Sequence, residues 1–420
     1  MKKQTSFVHE ESRDIPVVGD YDVVVVGGGI AGVSAALAAS RVHGTKVCLI
    51  EKFCGLGGLA TLGVVIWYLP LCDGRGHQII GGIGEELMRL SVDDIQEDIP
   101  LIRQMRIPKC WTSSDSTIEA RCKDRFVAGF NPITFIYKLE RLMLKNHVSL
   151  LFDTRFAGVT KENGAITSVL VETKAGRVAL KCKAVVDCSG DADVCFAADE
   201  KTVSIAKNVR CGWYYFINAE GKLELKLLSD PLHKIPLGPD GKPVKWPYSF
   251  RGDNSFDVTR QILASRQLMM DDLEKTRREK GGNPFPVMSP MMPTFRMTRR
   301  LAAKITLKES DDHRWFDDAL GMTGDWRKAG PVFCVPLRSL AATRTANLLA
   351  AGRCMATVGD TWDLFRVIPT CAVTGEAAGV AAAFFANSDD CRSIMELDIP
   401  AMQKHIKRHR GIIDKRLLEN

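Results

Sequence analysis

The chain has 420 residues, of which 45% are hydrophobic and 25% charged, and a net charge of +7. That length predicts two domains with a sizeable core, and the composition is that of a globular enzyme without repeats or low-complexity tracts. The charge is mild: it fits an anionic ligand, and a solvated surface explains it equally well. The thirteen cysteines include no Cys-x-x-Cys pair, which leaves metal-cluster ligation unsupported.

Residues 1–19 read as a loose arm. Lys2 and Lys3 are followed by no apolar stretch, so the segment is not a signal peptide. No run reaches the roughly 18 apolar residues of a membrane span. With its thiols scattered, the chain is expected in a reducing cytoplasm.

Residues 22–61 carry the strongest pattern. An apolar strand, Asp22 to Val26, meets Gly27, Gly29 and Gly32 in Gly-x-Gly-x-x-Gly spacing. A small-residue helix follows, then a second apolar strand ending in Glu51. Gly27 permits the tight turn, Gly29 lets the backbone approach a pyrophosphate, and Gly32 lets helix and strand pack closely. Ile30 and Ala31 open the helix whose positive end faces the phosphates. Glu51 can accept hydrogen bonds from an adenosine ribose, with Lys52 beside it. A second glycine-rich loop, Gly55, Gly57, Gly58, Ala60, Thr61 and Gly63, can meet a long ligand again further along, which suits FAD; the other reading is an ordinary flexible loop.

Residues 63–130 are mixed, with a short helix near Glu85 to Leu90. Trp67 and Tyr68 can stack on a ring or sit in the core. His77, in the turn-rich stretch with Asp73 and Arg75, is a candidate general acid or base, since its ordinary pKa is near neutral. Asn131-Pro132 starts a helix that runs to about Asn146. Strands are expected at Ser149 to Asp153, Ile166 to Thr173, Arg177 to Cys182 and Ala184 to Asp187. The last leads into Ser189, Gly190 and Asp191, a turn that returns the chain to the adenine side.

Residues 200–340 change character. Aromatics cluster at 213–216, and prolines punctuate 231–247 and 284–293. A long amphipathic helix is predicted over Val258 to Lys280. Arg299 and Arg300 are adjacent and must point apart; Arg299 is the candidate to face a cleft, and Arg296 is a weaker one. The strand Leu348 to Ala351 leads to Gly352-Arg353, then Gly359-Asp360, Arg366 and Pro369-Thr370. An Ala- and Gly-rich helix follows, with Thr370 as its N-cap and its positive end toward the flavin N1–C2=O edge. Asp360 is a candidate for the ribityl hydroxyls, and Trp362 for stacking. Arg366 can stabilise reduced flavin, hold a carboxylate or form a structural salt bridge. The basic cluster Lys404, Lys407, Arg408 and Arg410 lies on a C-terminal helix and reads as a solvated face.

These segments together resemble the FAD-dependent oxidoreductases of glutathione-reductase-like fold, distant relatives of fumarate-reductase flavoproteins, and most closely a bacterial group of stand-alone members. The likeness runs through GGGIAGVSAALAA, GGLATLGVV, DGRGHQIIGGIGEEL, AVVDCSGDADV, RMTRRL, DWRKAGPVFCVPLRSL and the last Ala-rich block. Many members carry His-Glu where this chain has Gly359-Asp360, so no histidine role is transferred there. The resemblance implies an α/β protein. Its Rossmann-like FAD-binding domain is discontinuous (20–62, 131–199, 345–388), with a mixed α+β substrate or cap domain (63–130, 200–344) and a C-terminal helix (389–420). It implies hydride transfer between a small organic substrate and flavin N5, with Arg366, Arg299 and His77 as candidate catalytic residues. A flavin monooxygenase or oxidase, and an electron-transfer component working with a redox partner protein, remain open. No nucleic-acid or membrane partner is expected. Neither a Cys-x4-Cys redox pair nor a second nicotinamide-binding turn is present in the sequence.

Overall fold

The computed structural model describes residues 7–93, 107–113, 115–231 and 249–419. Most of the proline-punctuated stretch after Pro231 lies outside these residues. In chain order the strands and helices are β1 (Val17–Val26), α1 (Ile30–Ser40), β2 (Val47–Ile50), β3 (Trp67–Tyr68), α2 (Gly82–Val92), α3 (Ile118–Lys123), β4 (Ala128–Gly129) and α4 (Pro132–Lys145). Then come β5 (Ser149–Leu151), β6 (Arg155–Glu162), β7 (Ala165–Thr173), β8 (Gly176–Asp187), α5 (Asp193–Ala197), β9 (Thr202–Ser204), β10 (Cys211–Ile217) and β11 (Leu223–Ser229). The remainder are α6 (Ser255–Lys280), β12 (Phe285–Met288), β13 (Arg299–Leu301), β14 (Ala319–Gly324), β15 (Val332–Pro336), β16 (Leu348–Ala350), α7 (Gly359–Phe365), α8 (Ile368–Ala386) and α9 (Ile399–Arg408).

The main sheet has the order β5-β2-β1-β8-β7-β6, with β16 pairing the C-terminal part of β8. The β5-β2-β1-β8 run and β16 are parallel, while β6 and β7 are antiparallel. Val23 to Val26 are almost wholly buried: Val23 and Val25 join the core on one face, Val24 and Val26 the core on the other. Covering on both faces explains a continuous apolar run where a half-exposed strand would alternate. The parallel strands all end on one edge, which is where α/β sheets bind ligands.

Helices α1 and α8 lie against each other under that edge. A Cβ on Gly375 or Gly379 would run into the backbone of Ala31 or Ala35, so the Ala/Gly composition of α8 sets how closely the helices approach. This helix corrects one expectation. It is long and apolar enough, by length and composition, to cross a membrane, yet 89% of its apolar window is buried inside the protein.

Three boundaries also shift. The two strands expected at 177–187 are one continuous strand, β8, which pairs β7 with its first half and β16 with its second. The end of the expected loose arm is already sheet, since Val17 pairs Ala179. Asp153 lies beyond β5, in a left-handed conformation (φ +47°). As expected, Asn131 caps α4, accepting from the Ile133 and Thr134 amides. Helix α6 begins at Ser255, with Asn254 accepting from the Asp257 amide.

Packing divides the chain differently from the expected domain boundaries. Ile66, Tyr68, Ile79, Ile83 and Leu87 share a core with α1 and α8, as do Phe316, Leu320 and Val335. These segments fall within the expected cap, and their side chains pack in the core that α1 and α8 share. A cluster separate from the cores on the two faces of the main sheet lies at the small antiparallel sheet β11-β10-β12, where Tyr214 and Phe216 pack on Met269 and Leu273 of α6.

Candidate active site

A cavity of about 750 Å³ runs along the C-terminal edge of the parallel strands, a size typical of small-molecule and cofactor sites. Its floor is the first glycine turn. Gly27 has φ +105°, and a Cβ there would strike the Cys188 carbonyl. A Cβ on Gly32 would strike the Gly27 carbonyl; this residue serves packing and does not line the cavity. Gly29 differs: its φ is an ordinary −65°, and a Cβ would meet nothing within 4 Å. Neither conformation nor packing requires glycine there, so the empty space it leaves is shaped for a ligand at the positive end of α1. Ile30 and Ala31 line the same space.

The second glycine loop is tied to the first. The Gly57 amide donates to the Gly28 carbonyl at 2.8 Å, and Gly57 and Gly58 have φ of +100° and +56°. Gly57, Gly58 and Ala60 line the cavity, which settles the flexible-loop alternative in favour of a wall. Thr61 stands behind it, wholly buried, with its hydroxyl donating to the Leu56 carbonyl at 2.6 Å. Its work is to hold the loop.

Glu51 accepts from the Gly28 amide (2.6 Å) and the Phe53 amide (2.9 Å). Burial raises its pKa, and those two bonds oppose the rise. Lys52 lines the cavity beside it, as do Arg155 and Phe156 from the start of β6. The Thr154 amide donates to the Glu51 carbonyl at 3.1 Å, fixing both segments at one end of the cavity.

At the end of β8, buried Asp187 accepts from the Ser189 hydroxyl (2.6 Å) and from the Ser189 and Cys195 amides. The turn presents Ser189, Gly190 and Asp191 to the cavity. Asp191 Oδ1 is buried and makes no hydrogen bond; Arg353 Nη2 lies 3.6 Å from it. Burial, helped by Asp191 and Asp187, pushes the Asp193 carboxyl up to about 6. Arg299 lines the cavity but is engaged: it donates to the Asp191 carbonyl at 2.8 Å and to Asp193 Oδ1 at 2.7 Å. Arg300 points elsewhere, 5.9 Å from the Trp362 ring centroid.

The other end of the cavity carries the start of α8. Ile368, Cys371, Arg353 and Arg366 line it. Arg366 is paired with Asp363, at 2.7 Å from Nε. Its pKa is lowered by burial and, further, by the nearby Arg296 and Arg353. Arg353 reaches the Phe295 carbonyl and lies 3.6 Å from Asp191. Burial pushes the Cys371 thiol up to about 12, so it stays protonated and is a poor nucleophile.

Several predicted site residues lie elsewhere. Thr370 is not the N-cap of α8. That position is Val367, and Thr370 sits inside the helix bonded to the Thr323 hydroxyl at 2.7 Å. Gly359 and Asp360 open α7 outside the cavity lining; Asp360 is half exposed and paired with Arg327 at 3.2 Å. His77 is also outside the lining, its Nδ1 2.9 Å from buried Asp73, which shapes the turn by accepting from the Arg75 and His77 amides. Tyr68 is core, its hydroxyl donating to the Gly84 carbonyl. The structure adds residues that sequence reasoning passed over: Arg353, Arg155 and the first turns of α6. Only Arg353 had a local signal, following glycine at the end of a strand.

A model of the family described as FAD dependent oxidoreductase matches residues 22–208 and 252–406. Among solved structures, the chain is 17% identical to a geranylgeranyl bacteriochlorophyll reductase-like protein from Thermoplasma acidophilum, over 93% of this chain and 83% of that one, with a TM-score of 0.44. It is 14% identical to a flavocytochrome c3 fumarate reductase (89% and 79% covered, TM-score 0.42). It is 12% identical to p-nitrophenol 4-monooxygenase from Pseudomonas putida (96% and 83% covered, TM-score 0.37). No curated sequence matches significantly.

Proposed function

We propose, from the premise that this chain belongs to the FAD-dependent oxidoreductase family, that it transfers a hydride between flavin and a small organic anion. Membership brings the cofactor: the chain binds FAD. The residues fit it, since the space at Gly29, where a Cβ would meet nothing within 4 Å, and Glu51 and Asp191 line one cavity. When bound, FAD supplies a hydride acceptor or donor at its ring.

The observation that carries the substrate class is the arginine cluster at the start of α8. Arg296, Arg353 and Arg366 lie near one another, and the Arg366 side chain is 17% exposed. Asp363 neutralises one of these charges and Asp191 lies 3.6 Å from another; Arg296, outside the cavity lining, donates to the Ser229 hydroxyl and the Cys211 thiol. The amide end of α8 adds partial positive charge in the same place. Such a locus stabilises negative charge that develops during reaction, and it orients a carboxylate. The guanidinium of Arg366, held by Asp363, is a fixed electrostatic element and not a proton carrier.

The test is anaerobic mixing of the FAD-loaded protein with a panel of small carboxylates and matched neutral analogues, reading flavin absorbance. Bleaching by carboxylates but not by their amides or esters is expected, or reoxidation of pre-reduced flavin by unsaturated acids. Equal reaction with the neutral analogues would overturn the anionic reading.

A further inference from the structure

We propose that the outer edge of β11 is a dimer interface. A second copy of this chain pairs there antiparallel, about a twofold axis beside Leu225, and joins the two small sheets into one.

The two edges of the small sheet are built differently. On β12, Pro286 stands opposite Phe216 with no amide hydrogen to give, and the register with β10 breaks between Tyr215 and Phe216. Proline and irregularity are common means of keeping an edge from pairing with another chain. Strand β11 has neither: Leu223–Ser229 contains no proline and pairs β10 without a register shift. Among the described residues, no backbone group outside β10 bonds the backbone of this strand. Its outer edge therefore offers a row of N–H and C=O groups to an incoming strand.

The side chains of β11 identify the incoming strand as another β11. The register puts Leu223, Leu225 and Leu227 on the face of Ile217, Tyr215 and Trp213, away from α6; Glu224 and Lys226 share the face of Phe216 and Tyr214. Leu223 and Leu227 are 41% and 50% exposed, where a strand meant for water alternates to polar residues. Read in either direction, Leu223 to Leu227 is leucine, charge, leucine, opposite charge, leucine. An antiparallel copy aligned on Leu225 therefore sets Glu224 against Lys226 twice, Leu223 against Leu227 twice, and Leu225 against itself. Moving the centre by one residue sets Lys226 against Lys226 or Glu224 against Glu224, so charge selects this register. A twofold interface requires such self-complementarity. Within one chain, Glu224 accepts from the Asn218 side-chain amide at 2.7 Å and makes no ion pair among the described residues. Lys226 lies 3.3 Å from Asp272, and its ammonium keeps N–H donors to spare.

Two charge reversals test this, alone and mixed. The unaltered FAD-loaded protein should sediment as a dimer at tens of micromolar. In Glu224→Lys both cross-strand charge pairs become lysine against lysine, and in Lys226→Glu they become glutamate against glutamate. Each variant alone should dimerise at least about tenfold more weakly. An equimolar mixture of the two should recover dimer to within about threefold of the unaltered protein, because in the heterodimer both pairs are again opposite in sign. Damage to the fold does not produce that recovery. Leu227→Lys should also weaken the dimer about tenfold, whereas Leu263→Lys, on α6 at a position 59% exposed, should leave it unchanged. This second pair decides if either reversal fails to fold, and equal effects of its two members overturn the proposal. An unaltered protein that stays monomeric also overturns it and leaves the edge to a strand of another protein. So does a dimer that both reversals leave intact, or a mixture no tighter than either variant alone.

Discussion

The two ends of the cavity are built by different means. At the amino-terminal turn the ligand surface is mostly backbone, defined by where side chains are missing: Gly27, Gly29, Gly57 and Gly58. At the start of α8 it is mostly side chain, defined by Arg353, Arg366 and the carboxylates that hold them. The first kind of site writes itself into sequence as spacing. The second depends on partners far apart in the chain, such as Asp191 with Arg353, and leaves almost no local mark. Recognition of a cofactor needs the first; choice of substrate resides in the second.

The sharpest way to break this comparison is at the glycines. Gly29→Ala should lower FAD affinity at least tenfold, about 1.4 kcal/mol, without changing the melting temperature of the apoprotein, because the added Cβ meets no protein atom within 4 Å. Gly32→Val, three residues on, should do the reverse in its first effect, destabilising the apoprotein by about 3 kcal/mol through overpacking. If the two variants behave alike in titration and melting, the distinction between a ligand glycine and a packing glycine is wrong.

The helix that forms the far end carries its own buried charge. Glu376 sits on α8 beneath the first turn of α2, where its carboxylate accepts from the Ile83 amide at 3.2 Å. Burial pushes its pKa up to about 8; the Ile83 bond and Arg41 oppose this, and Glu86 adds to it. Because the folded protein holds this proton more tightly than the unfolded chain does, the stabilising contribution is complete below the ordinary carboxylate pKa. It fades as pH rises and is lost through about 8. Glu376→Gln should therefore gain stability relative to the unaltered protein between pH 5 and pH 9, on the order of 2 kcal/mol. Thermal melts across that range check it, and a pH-independent difference would show that the acid is ionised throughout.

A middle-sized effect separates the ends by redox behaviour. Arg366→Met should lower the reduction potential of bound FAD by about 30–60 mV, the two-electron equivalent of about 1.4–2.8 kcal/mol, while leaving FAD affinity nearly unchanged. Equilibrium reduction with a reference dye measures this; an unaltered potential would place the arginine away from the ring. The smallest effect belongs to Thr370→Val, which should cost about 1 kcal/mol by stranding the Thr323 hydroxyl and leave both FAD affinity and potential untouched.

Legibility in the sequence followed the same line. The β1–α1–β2 unit, Glu51 and the second glycine loop could be read because each requirement is local. The N-cap of α4 was equally plain, since Asn131-Pro132 states it directly. Thr370 misled because a threonine after proline looks like a cap. The helix in fact begins two residues earlier at Ile368, with Pro369 in its first turn and the threonine turned inward to another hydroxyl. Asp360 and His77 looked functional as polar residues among glycines, yet each is matched by a partner, Arg327 or Asp73, that only the folded chain brings close. The cavity lining contributed by α6 could not be read at all, because a helix that serves a small sheet and a cavity at once shows one blurred amphipathic pattern.

The pairing of β16 with β8 and of α8 with α1 has a consequence for biosynthesis. Helix α1, apolar on every side, is made within the first forty residues, whereas the helix that covers it ends at Ala386. Until the chain as far as Ala386 has left the ribosome, that surface has no native cover. Nascent chains halted before residue 386 should therefore engage chaperones or aggregate, and cofactor loading should follow the emergence of that helix.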